Sequence, residues 1–348
     1  MADTPTGDGM VIRVDGLVKH FGEVLAVDGV DLEVAGGTVF GLLGPNGAGK
    51  TTMIRVLTTI LRPDEGSASI LGIDAEKDPQ AVREIIGLAG QYAAVDENLT
   101  GRENLRLIGR LNHLTRAVYV ARADELLERF DLVHAADRTL TTYSGGMRRR
   151  LDLAAALVHR PPVLFLDEPT TGLDIFSRNS LWSIISELVA DGTTVLLTTQ
   201  YLEEADQLAN RIAVIDHGHK VAEGTAAELK ATLGATIVEI GFDDPTLIER
   251  ARGILAAVAS SNVALDGRTL QVNAGDGGRS VLAVARLLDD AQLVPDDFTV
   301  RGPTLDDVFL SLTGHRAEPD QDDAGGGDGA GTGGRARRRS RRAVGGAA

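Results

Sequence analysis

The stretch Gly44-Pro45-Asn46-Gly47-Ala48-Gly49-Lys50-Thr51-Thr52 decides the fold of this chain. It fits the phosphate-binding pattern of Gly, any four residues, then Gly-Lys-Ser/Thr. The apolar run Val39–Leu43 before it predicts a buried strand, and the helical spacing of apolar residues in Met53–Leu61 predicts a helix after it. Such a loop turns backbone N–H groups inward, and the helix N-terminus adds partial positive charge. The sequence therefore predicts a cradle for a triphosphate.

Two side chains of this loop have predicted roles. Lys50 can reach the β- and γ-phosphates, and the Thr51 hydroxyl can ligate Mg²⁺. A glycine-rich loop on its own is usually an ordinary turn, so the interpretation depends on the flanking strand and helix and on the acidic residues described below.

Composition limits the class of protein. The 348 residues suffice for one large domain and a smaller one, and 43% of them are hydrophobic. A net charge of −15 argues against a general nucleic-acid binder, and the absence of cysteine excludes disulfides and suits a cytoplasm. No signal-peptide pattern is visible at the N-terminus. The longest apolar stretch, Leu153–Leu166, is interrupted by His159-Arg160-Pro161-Pro162, so any membrane role is expected to come through a partner.

The pattern of strands and helices predicts an α/β domain over residues 1–233. Predicted strands alternate with helices, which indicates a mainly parallel sheet with helices on both faces. Residues 100–158 are predicted to form a helical insertion. The predicted strands are Val11–Val14, Leu32–Val34, Ile85–Gly90, Val163–Pro169 and Thr193–Thr199, with a hairpin of Ile212–Ile215 and Lys220–Ala222.

The remaining residues change in character. Residues 234–315 are predicted to form a small α+β domain with strands at Ile237–Ile240, Val263–Leu265 and Leu270–Val272. Its predicted helices are Leu247–Val258, Ser280–Ala291 and Leu305–Leu312. Residues 316–348 are too poor in apolar residues to pack and are predicted to be disordered. The arginines of Arg335–Arg342 could touch anionic lipid, but a solvated tail is the simpler interpretation.

Two acids and one serine are the other chemical candidates. Asp167 and Glu168 end a strand of four apolar residues, where ligands bind in open α/β sheets. Asp167 is placed to hold Mg²⁺, and Glu168 can orient or deprotonate an attacking water. Ser144, before Gly145 and Gly146, predicts an N-capped helix whose end can bind a second phosphate. An ordinary capped helix fits that stretch equally well when it is taken alone.

Together these motifs resemble those of the ATP-binding subunit of ABC transporters, from Val11 to about Leu233. The resemblance implies a P-loop NTPase fold of the ABC type, with ATP and Mg²⁺ as ligands. It implies that Gln91 contacts Mg²⁺ and that Tyr143–Met147 is the signature sequence. It also implies that Asp174 belongs to a loop that crosses to the other subunit. Taken alone, an aromatic in a polar stretch such as Phe21 is more often an anchor into the core. The resemblance implies the adenine-stacking position for Phe21 and reverses that interpretation.

Two departures from the general pattern indicate a subfamily. Met147 replaces the last glutamine of the signature, and Gln200 stands where the switch histidine is usual. Gln200 can hydrogen-bond to a γ-phosphate or to Glu168 but cannot become cationic. Both departures resemble the daunorubicin-resistance-type drug exporters, as do the stretches Gly90–Leu105, Tyr143–Leu151, Thr198–Asp206 and Pro303–Leu310.

The subfamily resemblance implies an ATPase that powers export of a hydrophobic drug or lipid-like compound through a separate membrane-spanning permease. Such a subunit would lie at the cytoplasmic face of the membrane. We expect a homodimer, because one chain holds both a phosphate loop and a second helix end that can bind phosphate, and the net charge argues against a nucleic-acid partner. Catalytic roles then fall to Lys50, Glu168 and Gln200. Two alternatives stay open, namely a soluble ABC-type ATPase acting on ribosomes or DNA, and a regulatory ATP-binding module without turnover.

Overall fold

The computed structural model describes residues 9–90, 95–234, 236–256, 263–275 and 278–314. Within these ranges the strands, numbered in chain order, are β1 (Met10–Phe21), β2 (Val24–Ala35), β3 (Val39–Leu43), β4 (Glu65–Ile70), β5 (Ile73–Asp74), β6 (Ile86–Ala89), β7 (Val163–Asp167), β8 (Thr194–Thr199), β9 (Arg211–Asp216), β10 (His219–Gly224), β11 (Thr236–Gly241), β12 (Ala264–Asp266), β13 (Thr269–Gly275) and β14 (Asp297–Arg301).

The helices of the same ranges are α1 (Lys50–Leu57), α2 (Pro79–Ile85), α3 (Gly101–Leu111), α4 (Arg116–Arg129), α5 (Gly145–Ala156), α6 (Ile175–Ala190), α7 (Leu202–Leu208), α8 (Ala226–Ala231), α9 (Pro245–Leu255), α10 (Gly278–Asp290) and α11 (Leu305–Thr313). None of these helices is long and apolar enough to cross a bilayer.

The central sheet has the strand order β10-β9-β3-β8-β7-β6, and only the β9–β10 hairpin is antiparallel. Every residue of β3, β7 and β8 is buried, as expected of parallel strands covered on both faces. Leu164 and Leu166 of β7 enter one core with α5 and α6, whereas Val163 and Phe165 enter another with α1. The predicted parallel sheet with two covered faces is confirmed.

A second, antiparallel sheet has the order β2-β1-β4-β5. Its first two strands are each 12 residues long, much longer than the predicted strands Val11–Val14 and Leu32–Val34. The β1–β2 register shifts between Val14 and Leu17, next to Gly16, whose φ is positive. Such irregularities break the alternation of apolar residues, which is why the sequence pattern showed only the ends of these strands.

The predicted helical insertion is present as α3, α4 and α5. Helix α3 begins with a reciprocal capping box, in which the Thr100 side chain accepts from the Glu103 N–H and Glu103 accepts from the Thr100 N–H. Apolar residues of all three helices share the core that covers β7 and β8. The insertion is therefore attached to the sheet along α5.

The C-terminal residues form a four-stranded antiparallel sheet of order β12-β13-β11-β14, packed on α9 and α10 around its own apolar core. The predicted mixture of helices and strands is observed, together with the unpredicted β14. Helix α11 instead contacts α7 and α8, and its Phe309 shares a core with Leu43 and Leu202. The domain boundary near residue 234 stays a prediction. The predicted disordered tail, 316–348, lies outside the described residues.

Candidate active site

The phosphate loop lies between β3 and α1, at the carboxyl edge of the central sheet. Gly49 has a φ of 107°, and a Cβ there would lie 2.3 Å from the Ala26 carbonyl oxygen. The loop is thus pressed against β2, and only glycine fits at that point. Helix α1 begins at Lys50, as an anion-binding strand–loop–helix unit requires.

Lys50 is 3% exposed and folds back into the loop. Its Nζ donates to the Gly44 carbonyl at 2.6 Å and to the Pro45 carbonyl at 2.9 Å. The same Nζ lies 3.8 Å from Oε1 of Glu168. An ammonium held among carbonyl oxygens beside the loop is available to exchange those acceptors for phosphate oxygens.

Thr51 and Asp167 meet at the start of α1 and the end of β7. The Thr51 hydroxyl donates to Oδ1 of Asp167 at 3.0 Å, and the Thr198 hydroxyl donates to the same oxygen at 2.6 Å. A hydroxyl and a carboxylate are oxygen ligands of the type that Mg²⁺ prefers. Mg²⁺ usually binds one or two protein side chains together with substrate phosphates and waters, and this pair fits that pattern.

Glu168 directly follows β7 in a left-handed backbone conformation, with φ of 50°. Its N–H donates to the carbonyl and the hydroxyl of Thr198, each at 3.1 Å. Its side chain accepts from the Thr171 hydroxyl at 3.4 Å and is 9% exposed. A non-glycine residue in this conformation is uncommon and clusters at functional sites.

One of the two predicted glutamines, Gln200, lies at this edge of the sheet. Gln200 comes one residue after β8, and its Oε1 atom is buried without a hydrogen-bond partner among the described residues. A buried amide oxygen of this kind can accept a hydrogen bond from a water or a protonated group of a ligand. Gln91 lies outside the described residues, so its predicted contact with Mg²⁺ stays a prediction.

Phe21 lies at the end of β1, where it pairs with Val24 in the β1–β2 hairpin. Its side chain is 47% exposed, and Lys19 Nζ lies 5.9 Å from the ring centroid. The ring is therefore not an anchor deep in the core. The same hairpin contributes Ala26, whose carbonyl oxygen lies close to Gly49 of the phosphate loop. The predicted role of Phe21 in stacking on adenine stays a prediction.

The predicted signature residues form a second group at the starts of α5 and α6. Ser144 caps α5 by accepting from the Met147 N–H at 3.2 Å, and Gly145 begins the helix. A Cβ at Gly146 would lie 2.5 Å from Ser177 Oγ in α6. Asp174 caps α6 by accepting from the Ser177 N–H at 2.8 Å and its hydroxyl at 2.9 Å, and these bonds lower the pKa of Asp174.

Sequence reasoning missed two side chains that shape the site. Thr198 bonds to both Asp167 and Glu168, and Arg149 donates to the carbonyl groups of both residues. The sequence contains a signal for each: Thr198 precedes Gln200 at the end of a buried strand, and Arg149 lies in the triplet Arg148–Arg150. Neither signal indicates which group the side chain would contact.

Comparison with known proteins identifies the family. Residues 27–171 match the ABC transporter family. The chain is 52% identical to the daunorubicin resistance ATP-binding protein DrrA2 of Streptomyces coeruleorubidus, over 89% of this chain and 97% of that protein. This chain belongs to the ABC transporter ATP-binding family. A second relative in the family is the daunorubicin/doxorubicin resistance ATP-binding protein DrrA of Streptomyces peucetius, 50% identical over 88% of this chain and 93% of that protein.

Solved structures of ABC ATP-binding subunits share the fold. One is the dimeric, post-hydrolysis state of an ATP-binding cassette bound to ADP and phosphate. It superposes with a TM-score of 0.57 at 26% identity, over 62% of this chain and 98% of that chain. The present chain therefore has the fold of these ABC ATPases and belongs to the same class of enzyme. The predicted family and fold class are confirmed.

Proposed function

We propose that this chain is the ATP-hydrolysing subunit of an exporter that moves a hydrophobic drug or lipid-like compound through a separate membrane-spanning permease. The relatives that are about half identical over nearly the whole chain are named for resistance to daunorubicin and doxorubicin. In this role the chain lies at the cytoplasmic face of the membrane and is held there by the permease.

The observation that supports the proposal is that one chain has two helix starts of the type that can bind phosphate. The start of α1, after the phosphate loop, is one of them, and the Ser144-capped start of α5 is the other. In a homodimer related by two-fold symmetry, each ATP would lie between the loop of one copy and the Ser144 end of its partner. The site is then complete only when two copies close on ATP.

The loop residues would hold ATP in the following way. Lys50 would leave the Gly44 and Pro45 carbonyls for the β- and γ-phosphates, and Phe21 would stack on adenine. The backbone of the loop would surround the phosphates through Gly44, Pro45, Asn46, Gly47, Ala48, Gly49, Thr51 and Thr52. From the partner, Ser144, Gly145, Gly146 and Asp174 would close the site.

Hydrolysis would use the acidic end of β7. Thr51, Asp167 and Gln91 would hold Mg²⁺, which neutralises phosphate charge when bound. Glu168 would orient the attacking water and accept its proton, and Gln200 would hydrogen-bond to the γ-phosphate or to that water. Because ATP binds the closed dimer better than the open one, closure would move the attached permease.

Purification of the tagged chain from membranes of its own cells tests the proposal. We expect a polytopic membrane protein to copurify, and co-expression of the two in a drug-sensitive host should lower the accumulation of daunorubicin. The Glu168→Gln variant should bring down the same membrane protein in the same amount. Its co-expression should leave drug accumulation at the level of the host without the transporter. Recovery of ribosomes in place of a membrane protein, or efflux that persists with Glu168→Gln, would contradict the proposal.

A further inference from the structure

Arg149 of α5 donates to four backbone carbonyl groups at the catalytic edge of the sheet. Its Nε bonds to Pro169 O at 2.6 Å and its Nη1 to Gly90 O at 2.7 Å. Its Nη2 bonds to Glu168 O at 2.7 Å and to Asp167 O at 3.0 Å. One guanidinium thus joins three consecutive residues around Glu168 to the residue that precedes Gln91.

These hydrogen bonds hold the backbone of Glu168 in a conformation that is unfavourable without support. Glu168 has a positive φ, which a side chain with a Cβ rarely adopts without support from its surroundings. Its N–H is held by Thr198 and its carbonyl by Arg149, so the peptide groups on both sides of its Cα are fixed. The planar fork of an arginine suits several carbonyls at once, which a lysine ammonium cannot reproduce.

The charge of Arg149 is compatible with its partial burial. Removal from water lowers the pKa of Arg149, and the nearby carboxylates of Asp152, Glu204, Asp167 and Glu168 act in the opposite direction. The attraction of these four carboxylates favours the charged form of the guanidinium and opposes the effect of its removal from water.

Arg149 belongs to the same helix as the Ser144 end. Arg149 comes five positions after Ser144, which is about 7.5 Å along an α-helix. Helix α5 therefore presents its capped start at the proposed interface and its second turn to Glu168 of its own copy. In the proposed dimer, one helix contacts the partner's ATP at its start and the catalytic carboxylate of its own copy through its second turn.

We propose that Arg149 is a positioning residue that holds Glu168 of its own copy in the geometry for hydrolysis. This inference rests on the proposed function. It separates two roles of one helix: Ser144 acts on the ATP held by the partner, and Arg149 acts on Glu168 within the same copy.

Heterodimers with a single working site test this separation. Two copies with different affinity tags are purified through both tags, and the second copy carries Glu168→Gln, so only the first copy's Glu168 turns over. Arg149→Met in the first copy should lower kcat about tenfold or more, with KM for ATP within about twofold, because the carboxylate is misplaced while the phosphate loop is intact. Arg149→Met in the second copy should leave the rate unchanged.

Two further variants keep the result interpretable. Arg150→Met is the matched control, because Arg150 lies on the same helix and bonds to the Phe130 carbonyl instead of the catalytic edge. It should leave kcat unchanged in either copy. If Arg149→Met fails to fold, Arg149→Lys replaces it, and we expect the same difference between the two copies with a smaller loss.

The outcomes separate this inference from the function on which it rests. Equal losses from Arg149→Met in either copy, or no loss in the first copy, would overturn the positioning role. Ser144→Arg should show the opposite dependence, with turnover lost when it is placed in the second copy. Full turnover with Ser144→Arg in the second copy would overturn the site shared between two copies. The effect of Arg149→Met in the first copy would still measure the positioning of Glu168.

Discussion

Lys50 Nζ lies 3.8 Å from Glu168 Oε1, and both side chains are buried at the carboxyl edge of the central sheet. A cation and an anion that are both removed from water stabilise each other at this distance. Binding of a triphosphate supplies the lysine with other anionic partners. In the proposed function, Glu168 would then face the γ-phosphate, where a general base is required.

Replacement of Glu168 by glutamine tests its role as the base. We expect turnover to fall about 100-fold or more, the usual scale of general-base catalysis. ATP affinity should be unchanged or tighter, since a carboxylate near the phosphates is removed. Phosphate release and binding of a fluorescent ATP analogue measure the two effects. A variant that hydrolyses ATP at the normal rate would exclude Glu168 as the base.

Replacement of Thr198 by valine tests the support of the acidic pair. The change removes the hydroxyl that bonds to Asp167 Oδ1 and to the Glu168 N–H, so kcat should fall about tenfold through misplacement of both residues. Thr194→Val is the matched control, because Thr194 is buried at the other end of β8 and accepts from the Gly37 N–H. Equal ATPase rates in the two variants would contradict the assignment.

Asp152 predicts a dependence of stability on pH. Burial raises the pKa of Asp152 to about 6 from the ordinary 3.8, so the folded chain holds this proton to a higher pH than the unfolded chain. The free energy of unfolding therefore falls as the pH rises from about 4 to 6, by at most about 3 kcal/mol, and this loss is the cost of a buried, ionised Asp152. Asp152→Asn removes this cost, and its gain in stability should be larger at pH 7.5 than at pH 4.5.

Urea unfolding of both forms at the two pH values measures the difference. The carboxylate's Oδ1 is buried without a hydrogen-bond partner among the described residues, which supports the direction of the effect. A gain that is equal at both pH values, or larger at pH 4.5, would contradict it.

The packing of helix α11 leads us to expect that the C-terminal residues stabilise the ATPase core. Phe309 is 1% exposed and packs with Leu43, which precedes the phosphate loop, and with Leu202, which follows Gln200 by two residues. Phe309→Ala should lower the free energy of unfolding by about 3–5 kcal/mol. Leu312→Ala on the same helix, where the side chain is 41% exposed, is the control and should cost under about 1 kcal/mol. Similar losses in both variants would contradict the packing.

The parts of the fold that were predicted correctly are those with strong local signals. Residues adjacent in the sequence determine the strand, loop and helix around Lys50. The same holds for the apolar strand that ends at Asp167. Strand β4 was missed because its sequence Glu-Gly-Ser-Ala-Ser-Ile has few apolar residues and is stabilised by pairing with β1. Helix α6, from Ile175 to Ala190, was also missed, although Asp174 was identified as a site residue.

The site was predictable to the extent that its chemistry is local. Lys50, Thr51, Asp167 and Glu168 each stand in a motif, and the parallel sheet brings them to one edge. The contacts of Arg149 and Thr198 depend on the approach of distant segments, which spacing along the chain does not reveal.

The central claim is that each active site is built from two copies, and complementation of two inactive variants tests it most directly. One variant is Ser144→Arg, which retains Glu168, and the other is Glu168→Gln, which retains Ser144. Each should be inactive alone. In an equimolar mixture, half of the randomly formed dimers would contain one complete site of two, so the rate should recover to about a quarter of the wild-type rate. A mixture that stays as inactive as its parts, or Ser144→Arg that is fully active alone, would contradict the shared site.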